Sequence, residues 1–253
     1  MVKHKKKLGQ HFLHDKNIIS KIIKAIDPKK KDNFLEIGPG EGALTYPLID
    51  KISKMTIIEK DKELIPLLMN NLSNYHNLDI VNADILKYNL DNLSNTNIRI
   101  VGNLPYNIST EIIFKLSNYS SSFIDAHFML QKEVVDRIVS KHGSKIYGRL
   151  SIMSQAYFVV KKLFDISPNV FYPKPKVNSS YLRLIPKKFP FKDSEHKKRF
   201  TDIVNFAFMS RRKMIKSSLS NYISRAALKD LNIDPDLRPE MLSLTNFMDI
   251  SNQ

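Results

Sequence analysis

The stretch FLEIGPGEGALT, residues 34–45, carries an apolar run into glycines at 38, 40 and 42 and out again into a helix-forming segment. A short apolar run bounded by such a turn reads as a buried strand, and the segment after the turn as the opening of a crossover helix. Glycine at this junction lets the backbone approach a ligand closely, where a helix N-terminus presents free N–H groups. The same alternation extends along the chain. Strands are expected at 33–37, 54–59, 78–82, 98–102 and 125–131, with helical patterns at about 43–52, 62–72, 109–117 and 132–140. A β-α-β-α order with short links calls for a mostly parallel sheet covered on both faces, and ligands then bind where the strands end.

Before the sheet, isoleucines at 18, 19, 22, 23 and 26 recur with helical period, so a short amphipathic helix follows the basic start of the chain. After Gly148 the pattern changes. A helix over 148–158 leads to a strand at 158–164, the proline-rich connection FYPKPKVNSS (171–180) and a last strand at 181–185, which together read as a closing antiparallel hairpin. PKKFPFKDS (186–194) reads as a linker, and 194–250 as three or four helices. The domain boundary is therefore placed near Pro186–Asp193, with an α/β domain over 1–188, including a basic arm over 1–16, and a helical domain over 189–253.

At 253 residues with 42% hydrophobic side chains, the chain can bury a core without staples. It has no cysteine, which removes disulfides, thiolate chemistry and Cys-based metal sites and fits a reducing interior. The seven histidines have no ligand-like spacing, so no metal is expected. There is no apolar run near the roughly 18 residues of a membrane span, and MVKHKKKLGQHF lacks the apolar core of a signal peptide. A soluble cytoplasmic protein is expected. Net charge is +15, distributed as +8 over residues 1–31, +1 over 32–181 and +6 over 182–253. A near-neutral middle with basic flanks suits a polyanionic partner, and nucleic acid is the expected one.

Glu59 ends the second strand 21 residues after Gly38, where a carboxylate can accept both ribose hydroxyls of a nucleoside or simply be a solvated strand-end charge. Asp84, after the third strand, can take an adenine amino group or cap a helix. The turn is Gly-x-Gly-x-Gly rather than Gly-x-Gly-x-x-Gly, and no pyrophosphate needs cradling. This ordered set points to S-adenosylmethionine rather than a nicotinamide. After the fourth strand comes VGNLPYNIST, 101–110, a stiff loop because Pro105 lacks an N–H and pushes Leu104 from helical geometry. Adenine's exocyclic nitrogen is a poor nucleophile, its lone pair being delocalised into the ring. Acceptors at its two hydrogens, the Asn103 side-chain oxygen and the Leu104 carbonyl held by Pro105, favour a pyramidal and reactive nitrogen. Tyr106 can stack on the base and stabilise the developing positive charge. Neither a metal nor a strong general base is required.

These motifs closely resemble the KsgA-type (RsmA) ribosomal RNA adenine dimethyltransferases. The likeness runs through GQHFLHD (9–15), EIGPGEGALT (36–45), the 101–110 loop, MLQKEVVDRI (129–138), YGRLS (147–151), FYPKPKVNS (171–179) and AFMSRRKMIKSSL (207–219). The resemblance implies a Rossmann-like class I methyltransferase domain with a small all-helical C-terminal RNA-binding domain. It also implies dimethylation at N6 of two adjacent adenosines near the 3′ end of 16S rRNA in the small ribosomal subunit, by a monomer. The donor site it implies comprises His11, Leu13, Gly38, Gly40, Glu59, Asp84 and Asn103. The family often has Asn where this chain has His11, so contact there can be through backbone or side chain. By the same resemblance Phe171 sandwiches the flipped base opposite Tyr106, or else is a core residue before a loop.

SRRKMIKSSL (210–219) is read as a basic helix whose Arg211, Arg212, Lys213 and Lys216 face rRNA phosphates or merely solvent. The nearest rival reading is the related large-subunit enzyme of macrolide resistance. A second rival is a non-enzymatic assembly or transcription factor on the same fold. GEGALT, MLQKEVVDRI, YGRLS and Phe-x-Pro-x-Pro-Lys-Val favour the small-subunit enzyme.

Overall fold

The computed structural model of the protein describes residues 11–93 and 97–253. The lysines of the basic arm before His11 lie outside them. The chain divides into two compact units, one running to Val135 and including Val159–Pro186, the other formed by Asp136–Phe158 and Lys187–Gln253.

The first unit begins with β1 (Phe12–Leu13) and α1 (Lys16–Ile26). Asp15 caps α1, its carboxylate accepting the Ile18 N–H at 2.9 Å, and Ile22 and Ile26 are the buried positions of its isoleucine stripe. Next along the chain are β2 (Asn33–Ile37), α2 (Thr45–Ile49), β3 (Lys54–Glu59), α3 (Ile65–Asn71), β4 (Leu78–Asn82), β5 (Ile98–Asn103), α4 (Ser109–Ser117), β6 (Phe123–Gln131) and α5 (Lys132–Val139), the last crossing into the second unit. All five strands lie where the apolar runs place them. The helices α2 and α3 are shorter than the expected 43–52 and 62–72. Gly42 still has positive φ ahead of α2, and Pro66, which has no N–H to donate, sits in the first turn of α3.

The sheet order is β4-β3-β2-β5-β6-β9-β7, with β7 at Phe158–Ile166 and β9 at Ser179–Pro186. Pairs from β4 through β6 are parallel, whereas β9 is antiparallel to β6. The closing pair lies at the edge of the sheet, and within it the later strand, β9, is the inner one, between β6 and β7. Strands β2, β3 and β5 are almost wholly buried, as helices on both faces require, and the edge strand β4 is only half covered. From β2 the order runs outward to β3 and β4 on one side and to β5 and β6 on the other. The β2/β5 junction is thus a switch point, and its carboxyl end opens a crevice. A two-stranded ladder stands beside it, β1 paired with β8 (Phe171–Tyr172).

The second unit contains α6 (Arg149–Tyr157), α7 (Ser194–Met209), α8 (Ile215–Ser218), α9 (Arg225–Asp230) and α10 (Leu244–Ser251). Phe200, Ile203, Val204 and Ala207 of α7 are buried with Phe247 and Ile250 of α10, and His196 meets the Ser251 hydroxyl at 2.8 Å. Helix α6 was expected in the first domain. It groups here because it is buried nearly all round, with seven of its residues covered, Ser151 and Ser154 among them, and packs on α7 and α10. The later break between the units falls between Pro186 and Lys187.

Candidate active site

Two loops leave the sheet beside each other at the switch point, the glycine turn after β2 and the Asn103–Tyr106 segment after β5, and a pocket lies between them. Gly38 and Gly40 have φ of +66° and +59°. The space over Gly38 is open, since a Cβ there would meet nothing within 4 Å. At Gly40 a Cβ would stand 2.8 Å from the Phe12 ring, so this glycine lets β1 close over the turn. The Gly38 N–H is held by the Ile58 carbonyl at 2.9 Å, which ties the turn to the end of β3.

The pocket is lined by His11, Leu13, Gly38, Gly40, Glu59, Asp84, Asn103, Leu104, Pro105 and Tyr106, so ten residues scattered over the first 106 meet at one place. Glu59 is 6% exposed and not a solvated strand-end charge. Its carboxylate accepts the Gly40 N–H at 3.2 Å and the Asp61 N–H at 2.7 Å. Burial pushes its pKa up, while these backbone bonds act against the rise. Two N–H groups leave acceptor capacity on a carboxylate for further donors. Asp84 is not followed by an α-helix. It accepts the Leu86 N–H at 3.0 Å and pairs with Lys60 at 2.8 Å, and the Lys60 ammonium holds its carboxyl below the usual range.

Asn103 donates through Nδ2 to the His11 carbonyl at 2.7 Å, which leaves Oδ1 as the acceptor end of the amide. The Leu104 N–H is held by the Met129 carbonyl at 3.2 Å, and Tyr106 Oη meets Ser179 Oγ at 2.7 Å. His11 is engaged through both backbone and side chain. Its Nδ1 donates to the Pro173 carbonyl at 2.7 Å, and its ring lies 5.4 Å from that of Tyr106 at a 34° tilt.

Sequence reasoning missed Glu36. It lines the pocket at 1% exposure and accepts the Thr45 hydroxyl at 2.6 Å. A lone acid in the apolar run NFLEI, directly before the glycine turn, was the available signal. Burial, with the nearby Glu59 charge, pushes its pKa from 4.5 to about 7. Because the folded value is the higher, the associated stabilisation is complete below about pH 4.5 and is lost as pH rises through about 7. At about 1.4 kcal/mol per unit, wild type should lose on the order of 3 kcal/mol between pH 4 and 8 relative to Glu36→Gln. Urea unfolding at several pH values checks this, and parallel curves for the two proteins would refute it.

Phe171 departs from its expected place as the second face of a base sandwich. It is 3% exposed, in register with Leu13 in the β1–β8 ladder, and packed in the core rather than in the pocket lining. In the second unit, the basic helix expected over 210–219 is a turn followed by the four-residue α8. Arg211 donates to the Lys145 carbonyl at 2.5 Å and lies 3.6 Å from Glu240, and Lys216 pairs with Asp236. Arg212 and Lys213 are exposed, and among the described residues neither is in an ion pair.

S-adenosylmethionine fits this lining. Glu36, Glu59 and Asp84 make the pocket acid-rich inside a strongly basic chain, which suits a cationic sulfonium, and the bare Gly38 peptide allows close approach. The comparisons with known proteins point the same way. The chain is 42% identical over 252 residues to "Ribosomal RNA small subunit methyltransferase A" of Marinomonas sp., covering 99% of this chain and 95% of that one. The crystal structure of a dimethyladenosine transferase from Plasmodium falciparum superposes with a TM-score of 0.83 at 26% identity, covering 95% of this chain and 96% of that one. That of the 23S rRNA methyltransferase ErmE gives 0.73 at 26% identity, covering 96% and 100%. The fold is thus that of a Rossmann-like class I methyltransferase. The profile of the family described as "Ribosomal RNA adenine dimethylase" matches residues 1–253, and the chain belongs to that family.

Proposed function

We propose that this protein transfers methyl groups from S-adenosylmethionine to N6 of adenosines in small-subunit rRNA. Two methyls go to each of two adjacent adenosines in the 3′-terminal hairpin of 16S rRNA, and the enzyme acts as a cytoplasmic monomer in small-subunit biogenesis. The observation that carries this reading is the Asn103 amide, pinned by the His11 carbonyl at 2.7 Å on the wall of an acid-rich pocket, with the Tyr106 ring three residues on. When bound, the donor supplies an electrophilic methyl on sulfur. The chain's own residues bind it and hold the accepting nitrogen. Asn103 Oδ1 and the backbone before Pro105 accept the amino hydrogens, and Tyr106 supports the ring.

Small subunits lacking the modification, incubated with protein and donor, should gain dimethyladenosine at the two adjacent positions. Methylation of isolated large subunits instead would favour the second reading, which the likeness to ErmE keeps in view. An absence of methyl transfer to either would favour a non-enzymatic role.

Glu59 is proposed to hold the donor's ribose hydroxyls with the acceptor sites that Gly40 and Asp61 leave. Loss of a charged hydrogen-bonding partner costs about 1.5–3 kcal/mol. Glu59→Ala should therefore weaken donor binding by roughly 10- to 100-fold with little effect on RNA binding, and calorimetry showing unchanged donor affinity would remove it from the site. In the second unit, Arg212 and Lys213 are the side chains proposed for phosphate contact, since Arg211 and Lys216 already have partners. Reversing both charges should lower the slope of log affinity against log salt by nearly two units. A slope equal to that of wild type would return them to a solvated face.

A further inference from the structure

We infer that Lys60 is the positioning residue for the donor's base: its ammonium pins the Asp84 carboxylate where it accepts the adenine amino group, and so gives the site its selectivity for a 6-amino purine. The inference rests on the donor proposed above and assigns the recognition of its base. Lys60 directly follows Glu59, the proposed ribose partner, and both Lys60 and Asp84 line the pocket.

The sheet brings the two side chains together. Strands β3 and β4 are parallel, with Glu59 in register with Asn82. Their ends are laced, since the Glu59 carbonyl accepts the Ala83 N–H at 3.0 Å and Asn82 Nδ2 at 2.8 Å. Just past that clamp Lys60 and Asp84 meet at 2.8 Å. Asp84 gives each partner a different oxygen, Oδ1 accepting the Leu86 N–H at 3.0 Å and Oδ2 taking the Lys60 ammonium. A carboxylate held at both oxygens cannot turn, yet each oxygen keeps a lone pair for a further donor. The Lys60 bond also holds the carboxyl below its usual range, so the group stays purely an acceptor. An acceptor fixed before the ligand arrives, rather than by it, removes an ordering cost from binding. The exocyclic amino group of adenine supplies the hydrogen such an acceptor needs.

Calorimetry with S-adenosylhomocysteine and with its deamino analogue, which carries hydrogen in place of the amino group, tests this. Wild type should prefer the amino compound by about 10- to 100-fold, as a hydrogen bond to a charged group implies. Lys60→Met, which keeps the apolar stem and removes the charge, should lower that preference roughly 2- to 10-fold, the cost of ordering a freed side chain on binding. Lys60→Arg should restore it. A preference in Lys60→Met equal to or above that of wild type would overturn the inference, and so would a wild type that binds both compounds alike. Weakening of both ligands by the same factor in Lys60→Met marks a merely structural loss and would overturn it too. No binding of S-adenosylhomocysteine to wild type would sink the donor reading and this inference with it. Binding with a preference indifferent to Lys60 would sink this inference alone.

Discussion

Replacing Asn103 by alanine should cut the single-turnover rate at saturating donor by about 10²–10³, the usual cost of removing one preorganised partner of a transition state. The protein should still fold and still bind the small subunit. The geometry explains why the loss falls on the chemical step. Asn103 Nδ2 is committed to the His11 carbonyl at 2.7 Å, so the amide cannot turn, and its oxygen is the end that remains to accept from the amine. Alanine removes that acceptor and frees the arm residue together. Asn103→Asp keeps an oxygen but sets it against the His11 carbonyl without a hydrogen between them, so it too should be slow. Donor affinity can fall in both variants, which is why the rate is read at saturation. A near-normal rate for Asn103→Ala at saturating donor would remove the residue from the chemistry.

Tyr106→Ala should be almost as damaging, whereas Tyr106→Phe should lose no more than about ten-fold. The ring's proposed work is stacking, worth about 1–3 kcal/mol per base. Its hydroxyl is already bound to Ser179 Oγ at 2.7 Å, and burial pushes the phenol pKa up, both of which disfavour a role in proton transfer. The Phe variant loses that anchor, a bond of roughly 1 kcal/mol, and leaves the buried Ser179 hydroxyl without its tyrosine partner. Ser179→Ala should accordingly resemble Tyr106→Phe, and the double variant should be no worse than either, because both remove the same contact. A Phe variant as inactive as Ala, with an unchanged melting curve, would show that the hydroxyl takes part in the reaction.

Much of the site was legible because its parts are local. Gly38 and Gly40 mark a turn that only residues tolerant of positive φ can make, Glu59 and Asp84 stand at or just beyond strand ends set by apolar runs, and Pro105 stiffens its own loop. Glu36 interrupts the apolar run NFLEI, but that local signal does not say whether the acid is buried, and its raised pKa depends on burial by residues far along the chain. Arg99 and Asp125 illustrate the same gap. Each lies in an expected strand, yet only the β5–β6 register sets them opposite one another, where they pair at 2.8 Å and bury both charges.

By itself the sequence determined the alternation of strands and helices, the parallel character of the sheet and hence the crevice at its carboxyl end, since apolar period and turn chemistry act over a few residues. Tertiary structure alone decided that β9 enters between β6 and β7, that α6 joins the C-terminal helices, that Phe171 faces inward and Tyr172 outward, and that 211–214 is a turn. Each of these outcomes compares the burial and pairing of one segment against partners distant along the chain. The Asn103 amide bound to the His11 carbonyl, 92 residues earlier, is such a contact, and it exists only once the sheet has brought the two loops together.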